Sequence, residues 1–551
     1  MKALQLHKKK ASRLWVLVGL LACTVLITPL IAFAQANEPE LSQQQSEELD
    51  QKRRISERLQ EIEKENTSLK LKESSKAEAS NVTAENPSYY VPIRSYGLQR
   101  ETEPPRYVRQ LNKTWLKDTE GLENVDWVDL GLESRIRYEY RDNDFRRNKD
   151  ALDTPILLRT RLYADVKSKF DPVRVTVEIQ DSRRFGSVFA PDNKDINKVD
   201  VIQGYGELYF KDALGKDDLG NDRPISVKAG RMAFELTDRR LVARNEWRNT
   251  TNSFQGLRTT LGQQKSDWQA DLFALQPMVR LIEKTDQANH AQWFYGAVGD
   301  WRKWSKIITL QPYYYLLRQN GSKVQYASDG TIAAASAHIN REINTGGLRG
   351  YGVIGDTGLD YDLNYAKQWG SDGGLNQDAY AYNLEAGYTA EHAWKPRFSG
   401  SVGFASGDKN FKDGTSQRFD RLFGFARPWS NNDYIQMENI HASKVRFELN
   451  PISKLKIDFG YSWYELASAT DRWNGGANLR DTSGKSGKSG KNIGEEFDIR
   501  VRYPISKYVG LNVGYAYFMA GDFTKKTSQL IQPGRKDNSS FLYVETSLYV
   551  F

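Results

Sequence analysis

Apolar and charged residues begin to alternate near residue 126, and the alternation continues to the end of the chain. In its first instance Val128, Leu130 and Leu132 are interleaved with Asp129 and Glu133. Successive side chains of a β-strand point to opposite faces, so a period of two predicts strands with one apolar face and one charged face. A face with this density of charge cannot lie in a packed core. The charged face must therefore meet water.

Two folds can use such strands: a soluble sandwich and a membrane barrel. A sandwich packs its apolar faces together as a dry core of aliphatic side chains. Here the apolar faces also carry aromatic side chains near the segment ends, where the interfacial girdles of a membrane barrel lie. These residues are Tyr138, Tyr140, Phe398, Phe404, Tyr461, Trp463, Tyr515 and Tyr517. The pattern therefore favours an all-β transmembrane barrel.

Eighteen segments have this alternation, and an even number is what single-chain bacterial barrels require. Connections after odd-numbered segments are long and those after even-numbered segments are mostly short, as expected for outer loops and periplasmic turns. We therefore predict eighteen antiparallel strands in the outer membrane of a Gram-negative bacterium, with a possible bulge in the last strand, where Glu545 and Ser547 break the apolar alternation. The segments are 128–140, 156–167, 173–180, 199–211, 225–233, 254–262, 268–276, 293–301, 307–317, 337–349, 359–367, 378–389, 397–405, 435–449, 455–464, 496–503, 509–518 and 541–551.

The N-terminal residues 1–34 have the pattern of a secretory signal peptide. A basic stretch precedes an apolar run from Leu14 to Ile27, and Ala32-Phe33-Ala34 supplies a cleavage motif. An uncleaved membrane anchor is the alternative, because the run could just span a bilayer if it continued past Pro29. Cleavage would remove Cys23, which is the one cysteine of the 551 residues. No disulfide could then stabilise the exported chain.

Residues 35–88 are predicted to form a polar periplasmic extension, part helix and part linker. Ile55, Leu59, Ile62 and Leu69 follow the spacing of a short coiled-coil seam, so residues 52–70 are candidates for binding a periplasmic partner or a second copy. A solvated tether is the alternative. Residues 89–125 are predicted to be a connecting segment outside the barrel, which occupies 126–551.

Neither an enzyme nor a nucleic-acid-binding protein is predicted. The formal net charge is +8, but residues 1–34 contribute only basic side chains to it. The five histidines are scattered, and no catalytic-triad, zinc-protease, P-loop or EF-hand spacing occurs. We therefore predict no catalytic residues, no metal site and no cofactor.

Several motifs resemble the alginate export outer-membrane proteins. They include Arg135 to Arg141, Leu158 to Leu162, Glu178 to Arg183, Gly230 to Met232, Asp238 to Trp247, Ser406 to Lys409 and Phe419 to Phe423. The resemblance implies an eighteen-stranded barrel that passively exports the anionic polysaccharide alginate through an arginine-rich constriction. The family's long plug loop between strands sixteen and seventeen is reduced here to residues 504–508, so the plug is expected to be missing.

The charged strand faces predict an arginine-lined lumen, because a charge on the lipid face would cost about 2 to 4 kcal/mol near the midplane. Such a lumen suits a polyuronate, since guanidinium groups match carboxylates. Cross-bracing of the wall is the alternative role, and an uptake porin for small acidic nutrients is the alternative function. By strand phase the path contains Arg135, Arg137, Arg159, Arg161, Arg174, Arg446, Arg500 and Arg502, with Glu178 and Glu207 ordering them, and the resembling segment adds Arg231, Arg239 and Arg244.

Overall fold

The computed structural model describes residues 88–476, 478–481 and 487–551. Within them, eighteen antiparallel strands form a closed sheet, in which the first strand pairs with the last. The prediction of eighteen strands is confirmed, and each predicted segment overlaps one strand. The strands are β1 Val128–Asp142, β2 Ile156–Val166, β3 Val173–Phe185, β4 Asn197–Phe210, β5 Ile225–Met232, β6 Phe254–Gly262, β7 Trp268–Val279, β8 Gln292–Trp301, β9 Thr309–Gln319, β10 Arg341–Val353, β11 Leu359–Asp372, β12 Leu375–Thr389, β13 Arg397–Ala405, β14 Ile440–Ile452, β15 Leu455–Glu465, β16 Asn492–Pro504, β17 Val509–Ala520 and β18 Asn538–Tyr549.

Shorter elements decorate the barrel. The α-helix α1, Asp522–Ile531, lies between β17 and β18, and no helix in the described part of the chain has the length and hydrophobicity to cross a membrane. The others are the short strands Val108–Gln110, Leu152–Asp153, Gln287–Ala288 and Thr415–Ser416, and the 3₁₀ helices Leu111–Lys113, Trp115–Asp118 and Ala335–Ala337.

The two faces of the wall differ as the alternation predicts. On β2, Leu162 is 49% exposed on the outer face, whereas its neighbour Arg161 is 1% exposed inside. Phe398 and Trp463 are exposed on the outer face as well. An apolar exterior and a charged interior are what a barrel in a bilayer requires.

The connections alternate in length around the barrel, with two exceptions. Residues 211–224 are long for a turn, and β11 and β12 extend beyond their predicted ends to meet in a tight hairpin at Gly373 and Gly374. Both glycines have positive φ, at 61° and 91°, which a two-residue hairpin of this kind demands. The prediction of a long loop between β11 and β12 is therefore wrong.

The last strand corrects a second expectation. β18 pairs continuously with β1 and β17, without a register shift. Glu545 is buried inside the barrel, whereas Val544 and Leu548 are exposed outside. The predicted bulge in this strand is wrong, because Glu545 belongs to the charged inner face.

Part of the segment 89–125, which was predicted to lie outside the barrel, lies inside it. Residues 93–108, here called the strap, run across the interior near the end that carries the short turns. Ile93, Tyr96 and Leu98 are buried there. The predicted signal peptide and the seam at 52–70 lie outside the described residues, so a partner of the extension stays a prediction.

Candidate functional site

Two long connections fold into the barrel and contact each other. They are residues 233–253, the inner loop, and residues 406–439, the cover loop. The amide of Phe423 donates to the carbonyl oxygen of Leu241 at 3.0 Å, and the amide of Phe425 donates to that of Arg239 at 2.9 Å. Two of the motifs that resemble the alginate export proteins, 238–247 and 419–423, therefore meet inside the lumen.

Arginines of β1 and β2 hold the inner loop at Glu246. Arg161 donates to its carboxylate at 2.6 Å, and Arg159 lies 3.5 Å from the same oxygen. The backbone carbonyl oxygen of Glu246 accepts from Arg135 at 2.8 Å and from Arg159 at 3.0 Å. Charge-assisted bonds of this kind are stronger than neutral ones. These arginines thus fix the loop that narrows the lumen.

Arg137 holds the next residue of the inner loop. It donates to the carbonyl oxygen of Trp247 at 2.7 Å, and its guanidinium lies 3.9 Å from the centre of the indole ring. Glu139 and Glu545 supply carboxylates at 2.9 and 3.2 Å. The guanidinium is therefore neutralised on one side and stacked on the other, which fixes its plane.

Glu178 joins the wall to both inner segments. Its carboxylate accepts from Arg244 of the inner loop at 3.1 Å and from the hydroxyl of Tyr107 of the strap at 2.6 Å. Arg239 donates to the carbonyl oxygen of Gln99 at 2.7 Å, so the inner loop also contacts the strap directly. The buried carboxylate thereby has several charged and polar partners, as its burial requires.

A second group of arginines surrounds Tyr96 of the strap. Arg446 lies 3.5 Å from the centre of the ring and donates to Asp498 at 2.9 Å. Arg500 and Arg502 donate to Asp458 at 3.1 and 3.2 Å. These three cations lie around the strap, and each is paired with a carboxylate of the wall.

The remaining predicted residues lie away from these contacts. Arg174 forms a two-point bond with Asp171 beside a short turn, at 2.6 and 2.8 Å. The carboxylate of Glu207 accepts from Ser226. Arg231 lies two residues after the exposed Ala229 on β5, so it belongs to the outer face of the strand. It pairs with Asp200 at the end of the wall that carries the long loops. These residues therefore do not join the constriction.

A cavity of about 560 Å³ lies beyond the two folded loops, at the end of the barrel with the long loops. We call it the vestibule. Nine basic and six acidic side chains line it, so its lining is net positive. They are Arg137, Arg141, Arg146, Arg147, Lys194, Arg248, Arg341, Arg421 and Arg472, with Glu139, Asp192, Asp195, Asp420, Asp433 and Glu438.

Two vestibule cations have no carboxylate within ion-pair distance in the described part of the chain: Lys194 and Arg421. Burial and the charge of Arg248 lower the pKa of Lys194 to about 8 and bring the pKa of Arg421 below its ordinary range. Neighbouring cations that lower each other's pKa are stabilised by an anion placed between them. The vestibule can therefore bind an anionic solute.

Strand phase placed Arg137 in the predicted path, but it did not identify the vestibule cations that lie on the connections. Lys194, Arg248 and Arg421 come from three different connections, which have no strand period. The strap contacts through Tyr96 and Tyr107 were missed as well. Glu246 lies inside the motif 238–247, and its position beside Arg244 was a usable signal.

We expect anion preference to fall as the pH rises from 7 to 9. Lys194 is charged below its pKa of about 8 and neutral above it, so the vestibule loses a positive charge over this interval. Reversal potentials in a KCl gradient, measured at several pH values, test this effect. Lys194→Gln should remove most of the change, and an identical pH profile in this variant would contradict the assignment.

Residues 126–533 match the family model for alginate export. The chain belongs to the alginate export family. The resemblance found in the sequence is thus confirmed, and both the family and the fold are those of an outer-membrane transport channel.

No curated protein matches this member of the family. Solved structures with a similar fold include three from Pseudomonas aeruginosa. OccK8 (OprE) is 16% identical, with a TM-score of 0.49 over 77% of this chain and 98% of that chain. OccK11 (OpdR) is 14% identical, with a TM-score of 0.46 over 77% and 96%. The outer membrane protein OprD is 10% identical, with a TM-score of 0.45 over 76% and 93%.

Proposed function

We propose that this channel passes an anionic polysaccharide of the polyuronate type out of the periplasm. The observation that carries the proposal is the net positive vestibule, whose cations Lys194 and Arg421 form no ion pair with a carboxylate of the described residues. A polyuronate carries a carboxylate on each sugar, so several of its residues could bind along such a lining. Family membership supports the same class of solute.

Pairing of the lumen arginines is compatible with transport. Arg159 and Arg161 share Glu246 with the inner loop, so a passing carboxylate would exchange with a protein carboxylate instead of binding a free cation. Conduction requires sites that bind weakly enough to release the solute. Arginines that are already paired meet this requirement better than isolated ones.

An anion-selective uptake porin is the second candidate. The observation that favours it is the size of the vestibule, since a cavity of about 560 Å³ falls within the range that holds a small molecule. The inner loop, the cover loop and the strap also contact one another inside the barrel. A small acidic nutrient would need less displacement of these segments than a polymer.

Blocks of single-channel current by uronates of different length distinguish the two candidates. A polymer channel should be blocked at lower concentration by an oligouronate than by the monomer, because several linked carboxylates bind at once. A neutral oligosaccharide of the same length is the matched control. Equal block by monomer and oligomer, at equal carboxylate concentration, would favour the porin.

A further inference from the structure

The strap crosses the lumen from one side of the wall to the other. Ser95 donates to Asp362 of β11 at 3.1 Å, and Tyr107 donates to Glu178 of β3 at 2.6 Å. The strap then pairs with β1 through Val108. A solute that passes along the barrel must therefore pass the strap.

Between these two anchors, the strap presents a carboxylate to two cations of the wall. Lys228 of β5 donates to one oxygen of Glu103 at 2.8 Å, and Arg258 of β6 donates to the other oxygen at 2.8 Å. Partial removal from water opposes ionisation of this carboxyl group, but the charges of Arg258 and Lys228 keep the pKa of Glu103 well below its ordinary value. Glu103 is thus a bound anion at working pH.

The two cations differ in the carboxylate partners that they would retain if the strap were absent. Arg258 also pairs with Asp271 at 2.7 Å, so it retains a carboxylate. Within the described residues, Glu103 is the one carboxylate in an ion pair with Lys228, whose side chain is only 12% exposed. A cation this buried is costly to leave unpaired. Removing Glu103 would leave a site suited to another carboxylate.

Glu103 itself lies in an accessible position. Its side chain is 39% exposed, although both of its partners are largely buried. Water and solute can therefore reach the carboxylate, and an ion pair that is partly exposed is held less strongly than a buried one. The same strap places Tyr96 against Arg446, so it covers lumen cations at a second point.

We propose that Lys228 and Arg258 form a carboxylate-binding site of the channel, which Glu103 of the strap occupies in place of a solute carboxylate. The site takes a uronate or a similar sugar acid, and the strap competes with it. This inference rests on the proposed function and narrows it to one position in the lumen.

Block of single channels by galacturonate, a monomeric uronate, tests the site. Glu103→Gln removes the competing charge but keeps the shape of the side chain. Its half-blocking concentration should fall about tenfold if the strap occupies the site about nine-tenths of the time. Glu101→Gln is the matched control, because Glu101 lies on the same strap and its ion pair is with Arg106 of the strap itself.

Adding Lys228→Gln to Glu103→Gln should abolish the gain in galacturonate affinity. An unchanged half-blocking concentration in Glu103→Gln would overturn the inference, and so would a gain that persists after Lys228 is replaced. The monomer reports on the site whether or not a polymer passes. A failure of polymer transport would therefore leave this result intact, and the two proposals can fail separately.

Discussion

Replacing Arg159 and Arg161 together by Glu is expected to reverse the ion preference of the channel from anions to cations. The two arginines share Glu246, and Arg159 also pairs with Glu133 at 3.0 Å. The substitutions would gather four carboxylates at one level of the lumen. An opposite charge at 4 Å contributes about 1 kcal/mol even in a water-like medium, which is about fivefold in ion partitioning.

Reversal potentials of single channels in a KCl gradient measure this change, and heat-modifiability of the barrel checks insertion. Arg183→Glu with Arg318→Glu is the matched control, because these two arginines lie in the outward phase of β3 and β9. The control should keep the original preference. Unchanged reversal potentials in the Arg159 and Arg161 variant would show that these arginines only brace the wall.

Replacing Glu246 by Gln should have the opposite effect and strengthen the preference for anions about threefold. Its carboxylate is shared by Arg159, Arg161 and Arg244, so removing one negative charge leaves three guanidinium groups less neutralised. The local field would become more positive in a space where water screens it poorly. Gln keeps an acceptor for Arg161, so the inner loop should stay attached.

Glu342→Gln is the control for this variant, because Glu342 forms an exposed ion pair with Arg318 at the outer end of the wall. It removes the same charge far from the lumen. A Glu246→Gln channel with the selectivity of the parent would contradict the role of Glu246 as the carboxylate that neutralises these arginines.

The barrel could be predicted from the sequence because its physical cause is local. Each strand must present apolar side chains to lipid and polar ones to water. Apolar and polar residues therefore alternate along a strand, as Leu162 and Arg161 do on β2. Once the strands had been located, the residues between them gave the alternation of long and short connections. The hairpin at Gly373 and Gly374 was missed because its flanking residues are polar, although the glycine pair itself is a turn signal.

The interior was harder to predict because its contacts are distant in sequence and have no period. The strap joins Ser95 to Asp362 and Tyr107 to Glu178, and nothing within residues 89–125 alone indicates those partners. Strand phase correctly placed Arg159 inside, but phase does not show that an inner loop supplies its partner. Loop cations such as Lys194 follow no strand period.

The dwell time of oligouronate blocks as a function of voltage tests the proposed transport most directly. A polymer that enters at the end with the short turns and leaves through the vestibule is driven out faster as the voltage that pulls it increases. For a channel that passes the polymer, we expect dwell times of a charged oligouronate to shorten with rising voltage of the appropriate sign. Dwell times that lengthen with the same voltage would mean that the oligomer enters and returns, and would contradict polymer transport.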